Sequence, residues 1–168
     1  SCRSLSSVAI PNSVTSIGKN AFLHTDIYNN EVNWENNVLY ISNCLITAKR
    51  EIVGAYIIKD NTRLIAAGAF EGCESLTSIT INDNITSIGS STFYNCKSLT
   101  AVYITNLESW CNIAFVGTSS NPLYYAHSLY LNGELVTELN IPNTITSIKN
   151  NAFCGCTSFI NVSMPNTV

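Results

Sequence analysis

Ile58-Lys59-Asp60-Asn61-Thr62-Arg63-Leu64-Ile65-Ala66-Ala67-Gly68-Ala69-Phe70 and Ile81-Asn82-Asp83-Asn84-Ile85-Thr86-Ser87-Ile88-Gly89-Ser90-Ser91-Thr92-Phe93 carry one pattern twice, 23 residues apart. Two more stretches carry it. Ile10-Pro11-Asn12 leads through Val14-Thr15-Ser16-Ile17 to Ala21-Phe22, and Ile141-Pro142-Asn143 leads through Ile145-Thr146-Ser147-Ile148 to Ala152-Phe153. A frame of one cysteine and three apolar residues precedes or joins each copy: Cys73, Leu76, Ile79, Ile81; Cys96, Leu99, Val102, Ile104; Cys2, Leu5, Val8, Ile10; and Cys156, Phe159, Val162, Met164. Self-similarity at a fixed period of this size marks a stack of identical coils.

The copies are unevenly spaced. Phe22 and Phe70 are 48 residues apart and Phe93 and Phe153 are 60 apart, two periods plus 2 and two periods plus 14. Each interval therefore holds one irregular repeat, and hairpin-type interruptions are placed near 29–56 and 112–138 of a single array spanning 1–168. In the first, Val38-Leu39-Tyr40-Ile41 turns through Ser42-Asn43 into Leu45-Ile46-Thr47. In the second, Leu129-Tyr130-Leu131 turns at Asn132-Gly133 into Leu135-Val136, a strong two-residue hairpin signal. Dividing 168 residues by 23 predicts about seven coils. The array opens and closes inside a repeat and reads as an excerpt of a longer one.

Within a copy, Ser78-Ile79-Thr80-Ile81 alternates polar and apolar with β-branched residues, the mark of a short strand with one buried face. An unbroken column of Asx residues follows, Asn12, Asp60, Asp83, Asn106, Asn143 and Asn166, and is expected to close a turn by bonding its own backbone. A second alternating piece, Ile85-Thr86-Ser87-Ile88, precedes a segment long enough for one helical turn. One such coil cannot bury its own apolar face, but coils stacked at the ~4.8 Å strand spacing form parallel ladders and a continuous core. The predicted fold is a repeat solenoid, a right-handed superhelix of short parallel strands with single helical or 3-10 turns. Phe22, Phe70, Phe93 and Phe153 are expected to form an aromatic column, and Ile17, Ile65, Ile88 and Ile148 an aliphatic one.

The residues Leu5, Val8, Ile10, Pro11, Val14, Thr15, Ile17, Gly18, Ala21 and Phe22, completed by Phe70, Gly72, Cys73 and Leu76, resemble the BspA-like class of leucine-rich repeats. The resemblance covers essentially the whole chain. It takes in Trp34-Glu35-Asn36-Asn37-Val38-Leu39-Tyr40-Ile41 and Leu107-Glu108-Ser109-Trp110-Cys111-Asn112-Ile113, which look like variants of that class. Lys59 and Asn82 depart from it at the proline, Ala66 and Lys149 at the glycine. It implies secreted or surface-anchored proteins of bacteria and some protists, some of which bind host matrix proteins or mediate adhesion.

Composition narrows function by exclusion. Apolar residues make up 46% and charged residues 11%, with a net charge of −3 and no basic run, so nucleic acid is not the expected partner. No stretch approaches the ~18 apolar residues of a membrane-spanning helix. Cys2, Cys73, Cys96 and Cys156 share one repeat phase, which is what core packing produces, so buried free thiols are expected in place of a disulfide framework. Cys154 and Cys156 lack zinc spacing and a second pair, and His24 and His127 fall at unrelated phases, so no metal, cofactor or catalytic residue is assigned.

What remains is surface. The outward strand positions Ile57, Thr80, Tyr103 and Asn140, flanked in phase by Ala9 and Ser163, form a nearly uncharged ribbon, and Ile57 and Tyr103 are its large members. Trp34, Trp110, Tyr124 and Tyr125 lie in or beside the irregular stretches and are candidate protruding contacts. The function expected is a non-catalytic, extracellular or cell-surface module that binds a protein or matrix component. The alternatives are a structural spacer that projects another domain, and a carbohydrate-binding module, which needs a clustered aromatic platform or a pair of carboxylates ~5 to 9.5 Å apart and which Trp34 and Trp110 exposed side by side would favour.

Overall fold

Strands form where the alternation falls, and the computed structural model describes residues 2–168. In chain order they are β1 (Trp34–Glu35), β2 (Val38–Ile41), β3 (Cys44–Ala48), β4 (Gly54–Ile57), β5 (Leu64–Ile65), β6 (Leu76–Thr80), β7 (Ser87–Ile88), β8 (Ala101–Ile104), β9 (Ala114–Phe115), β10 (Leu129–Leu131), β11 (Glu134–Leu135), β12 (Glu138–Asn140) and β13 (Asn161–Ser163). The first strands of successive coils pair in parallel as β4-β6-β8-β10, with Tyr56↔Ile79, Ile79↔Val102 and Val102↔Leu129 in register. The second strands β5, β7 and β9 make a parallel ladder on another side of the stack. The chain is thus a β-solenoid of ~23-residue coils, its inward columns filled by residues such as Ile58, Ile81, Ile65, Ile88, Phe70 and Phe93, all at most 2% exposed.

The corners are closed by amides. Asn84 N–H donates to Asn82 Oδ1 at 2.8 Å, while Asn82 Nδ2 and Asn84 Nδ2 donate to Lys59 O (2.6 Å) and Asp60 O (2.7 Å) of the coil before. The turn is therefore made by Asn82, one position ahead of the expected Asx column. That column does other work: Asp83 accepts from the Thr105 hydroxyl at 2.9 Å, and Asn106 accepts from Ser109 N–H at 3.0 Å as a helix N-cap. After the second strand, regular coils use single hydrogen-bonded turns, such as Cys73 N–H to Phe70 O and Cys96 N–H to Phe93 O. Among the described residues, helices occur only in or beside the irregular stretches: α1 (Asp26–Asn29), α2 (Leu107–Cys111), α3 (Leu123–Ala126), and 3-10 turns at Glu31–Asn33 and Thr118–Ser120.

The two interruptions cut the stack into three cores. β2 and β3 form an antiparallel hairpin that β3 joins to β5 in parallel, and both of its faces are buried. Val38 and Leu45 face the main core, with Phe70 and Phe93. Leu39, Ile41, Cys44 and Ile46 face a second core with Ile17 and Ile27 of the first coil. The hairpin is a septum between the first coil and the rest, not a protrusion. At the second interruption β11 folds back antiparallel on β10 and ends that sheet, and β12 and β13 restart as a separate two-stranded sheet over a small third core of Cys111, Leu139, Ile141 and Ile145.

These cuts decide which columns form. Phe70 and Phe93 stack with centroids 5.4 Å apart and planes 6° off parallel. Phe22 packs in the second core, and Phe153 sits edge-on to Phe159 at 5.6 Å, so the four-residue aromatic column shrinks to two. The cysteine column behaves alike: Cys73 and Cys96 are buried, Cys156 is half-buried and Cys2 exposed, while Cys44 and Cys111 are buried off the column. All seven are free thiols.

Candidate interaction face

Parallel register carries outward residues into rows. Ile57 pairs with Thr80, Thr80 with Tyr103, and Tyr103 with Tyr130. Leu135 lies opposite Tyr130 in the antiparallel pair and extends the row to five residues. Ile57 is 70% and Leu135 43% exposed, and the three between them are half-buried against their neighbours. The Tyr103 and Tyr130 rings lie 4.8 Å apart. Beside this row runs a row of small residues, Ala55, Ser78 and Ala101. The next outward row holds the one cation of this surface, Lys59, which pairs with Glu35 and lies 4.5 Å from the Tyr40 ring centroid. A trough of about 190 Å³ lined by Ile57, Thr80, Asn82, Asp83 and Thr105 borders it.

Asn140 is not in this row. The period puts it there, but the second interruption moves it to the separate sheet, where it is exposed and pairs with Ser163. Tyr130 takes its place. The period hides Tyr130, which lies 27 residues after Tyr103, although the hairpin signal at Asn132-Gly133 already marks 129–131 as a strand.

Of the four expected protruding contacts, Tyr124 is exposed (44%) and meets the half-buried Tyr125 edge to face at 5.2 Å. Trp110 does not protrude. It is 1% exposed, because the Asn106 cap starts α2 with Trp110 on its inner side, where the indole N–H donates to Ala152 O at 2.9 Å. Trp34 is half-buried, its indole N–H bonded to Tyr28 O at 2.8 Å and Lys49 held 4.9 Å over its ring. The side-by-side exposed tryptophan pair that would favour a sugar-binding platform is not formed. Trp34 instead lines a cleft of about 610 Å³ with Tyr28, Arg50 and the ion pairs Lys49–Glu31 and Lys19–Glu71.

Burial raises the pKa of the inner thiols, Cys73 and Cys96 to about 12 and Cys111 to about 11, which makes them weak nucleophiles. The Tyr40 and Tyr56 hydroxyls, 2.9 Å apart, are likewise raised by desolvation. Among the described residues no group of three or more His, Cys, Asp or Glu is placed to hold a metal ion, and no helix is long and apolar enough to cross a membrane.

The profile of the BspA type leucine-rich repeat region matches residues 1–122 and 125–168 in six copies. The chain belongs to this family. The match counts six copies, where division of the length by 23 predicts about seven. The unmatched residues, Leu123 and Tyr124, open α3, where the longer interruption departs from the repeat. No curated protein and no solved structure matches the chain. BspA-type repeat proteins are generally surface-associated, and their solenoids typically work by surface contact without catalysis.

Proposed function

We propose that this BspA-type array is a non-catalytic recognition or adhesion module, secreted or held on a cell surface, that binds an extracellular protein or matrix component through its first-strand face. The observation carrying this reading is the continuous, nearly uncharged row Ile57-Thr80-Tyr103-Tyr130-Leu135, with adjacent tyrosines at its centre. Tyrosines offer large contact area with little side-chain entropy to lose, and they concentrate at contact hot spots. A row of small residues alongside allows close approach.

The test is binding of this chain to a panel of matrix proteins and glycans, beside an Ile57→Ala, Tyr103→Ala, Tyr130→Ala variant whose fold is checked by circular dichroism. A panel member bound by the wild type should lose at least about tenfold in affinity with the variant. Binding untouched by the substitutions would overturn the face assignment. Binding to nothing on the panel would favour the spacer. Since one paired lysine is the only cation on the face, affinity should change less than about tenfold between low and physiological salt.

A further inference from the structure

The β10-β8-β6-β4 ladder stops at β4 although the repeat calls for one more rung. By phase the missing neighbour is the irregular repeat's segment near 33–35, one period before Tyr56–Ile58. That segment is diverted: Trp34 and Glu35 pair antiparallel with β2 in the other large sheet. Gly54 N–H and Ile58 N–H donate to Ser75 O and Thr80 O on the β6 side. The intervening Ala55 and Ile57 amides and carbonyls therefore point to the open edge, and among the described residues they have no partner.

This edge is unlike the others. β1, β9 and β11, at the remaining ends of the two large sheets, are two residues long, and β11 carries Glu134. β4 is four residues of Gly-Ala-Tyr-Ile, without charge or proline; its last residue, Ile57, is 70% exposed, and Val53 just before it is 73% exposed. Natural sheets shorten, charge or cover their edges, because a bare one is a template for another strand.

We infer that the β4 edge is a strand-acceptor site, taking an extended, uncharged peptide segment of the bound protein in parallel as an added strand. The occupant's chemistry follows from continuity with the ladder. The strands that stack on this pattern from the other side, Ser78-Ile79-Thr80 and Ala101-Val102-Tyr103, present a small residue, an aliphatic one, then a β-branched or aromatic one, with no charge. An incoming segment of that kind would give backbone hydrogen bonds to Ala55 and Ile57 and bring its third side chain beside Ile57, at the end of the tyrosine row. The inference deepens the recognition reading and rests on it.

The probe is an acetylated, amidated hexapeptide copying Thr77–Asn82, added to the protein while amide exchange is followed by NMR. At saturation the Ala55 and Ile57 amides should exchange at least about tenfold more slowly, with those facing β6 unchanged. Ala55→Pro removes an edge donor that the β4-β6 pairing does not use, and should abolish the effect. Should that variant not fold, the same peptide N-methylated at every second residue, in both phases, removes the bonds from the ligand side and should not protect. Unchanged exchange at saturating peptide overturns the inference. So does protection that appears without peptide as protein concentration rises, which would assign the edge to a second copy. A matrix partner whose binding survives Ala55→Pro but is lost with the three-residue face variant would overturn the edge and leave the face standing.

Discussion

A β-carbon added to Gly89 would stand 2.4 Å from the Ala67 amide nitrogen and 2.6 Å from its Cα, inside any permitted contact and against backbone that cannot step aside. Gly18 occupies the same position of the first coil, and nothing lies within 4 Å of the equivalent point. Gly89→Ala should therefore destabilise by about 1–3 kcal/mol or more, and Gly18→Ala by less than about 0.5 kcal/mol, read by urea denaturation. The repeat alone cannot separate the two glycines, because the crowding comes from the coil stacked above and not from the glycine's own neighbours in sequence. The thiols divide in the same way. Cys2 is exposed and should react first with a thiol reagent at pH 8, while Cys73 and Cys96, buried and held up to about 12, should stay unlabelled until the protein unfolds. Their pKa values are raised in the folded state, so the folded form retains protons that the unfolded form loses. Stability should be level below about pH 8 and decline from there toward pH 12, with the Tyr40–Tyr56 pair acting in the same direction. A denaturant midpoint that rose over that range would contradict this burial.

Among the elements, the hairpin of β2 and β3 shows what the sequence could and could not convey. Its two strands and its turn at Ser42-Asn43 were legible from the alternation of residues 38–47. Its place was not, since an alternating strand between solvent and a core has the same period as one between two cores, and the clue is only that Leu39, Ile41 and Ile46 are as apolar as Val38 and Leu45. Trp110 was misplaced for a related reason: a helix of five residues, α2, is too short for its periodicity to say which side faces inward. The row of the interaction face was legible as far as the period held, through Ile57, Thr80 and Tyr103, and failed at Asn140, where the 14 extra residues had changed the phase. If the hairpin is a septum, its two faces can be loosened separately. Leu39→Ala and Leu45→Ala should each cost about 2–5 kcal/mol. By hydrogen exchange, the first should speed amides around Ile17 and Ile27, and the second those around Ile58 and Ile65. Equal effects on both sides would mean that the hairpin does not divide the core.

At the scale of the whole molecule, an uninterrupted solenoid would loosen evenly from both ends, because each coil is held only by its neighbours. This chain is held unevenly. The first coil packs on the septum through a core of eight buried residues, and Arg63 reaches it as well, donating to Val14 O at 2.7 Å and Pro11 O at 2.9 Å. The last coils rest on a core of four buried residues, and every residue of β13 is exposed. Exchange should accordingly be slowest from Leu64 to Ile104 and intermediate in the first coil. It should be fastest in 138–163, even though β12 and β13 form regular parallel pairs there. Arg63 then supplies the decisive variant. A hydrogen bond from a charged donor contributes about 1.5–3 kcal/mol, and both acceptors here are backbone carbonyls of the first coil. Arg63→Ala should bring exchange in residues 8–17 up to the rate of 138–163, while residues 87–104, which begin in the next coil and pack in another core, keep their protection. If instead the whole array loosened together, the three cores would be one cooperative unit, and the interruptions would be ornaments on a single stack.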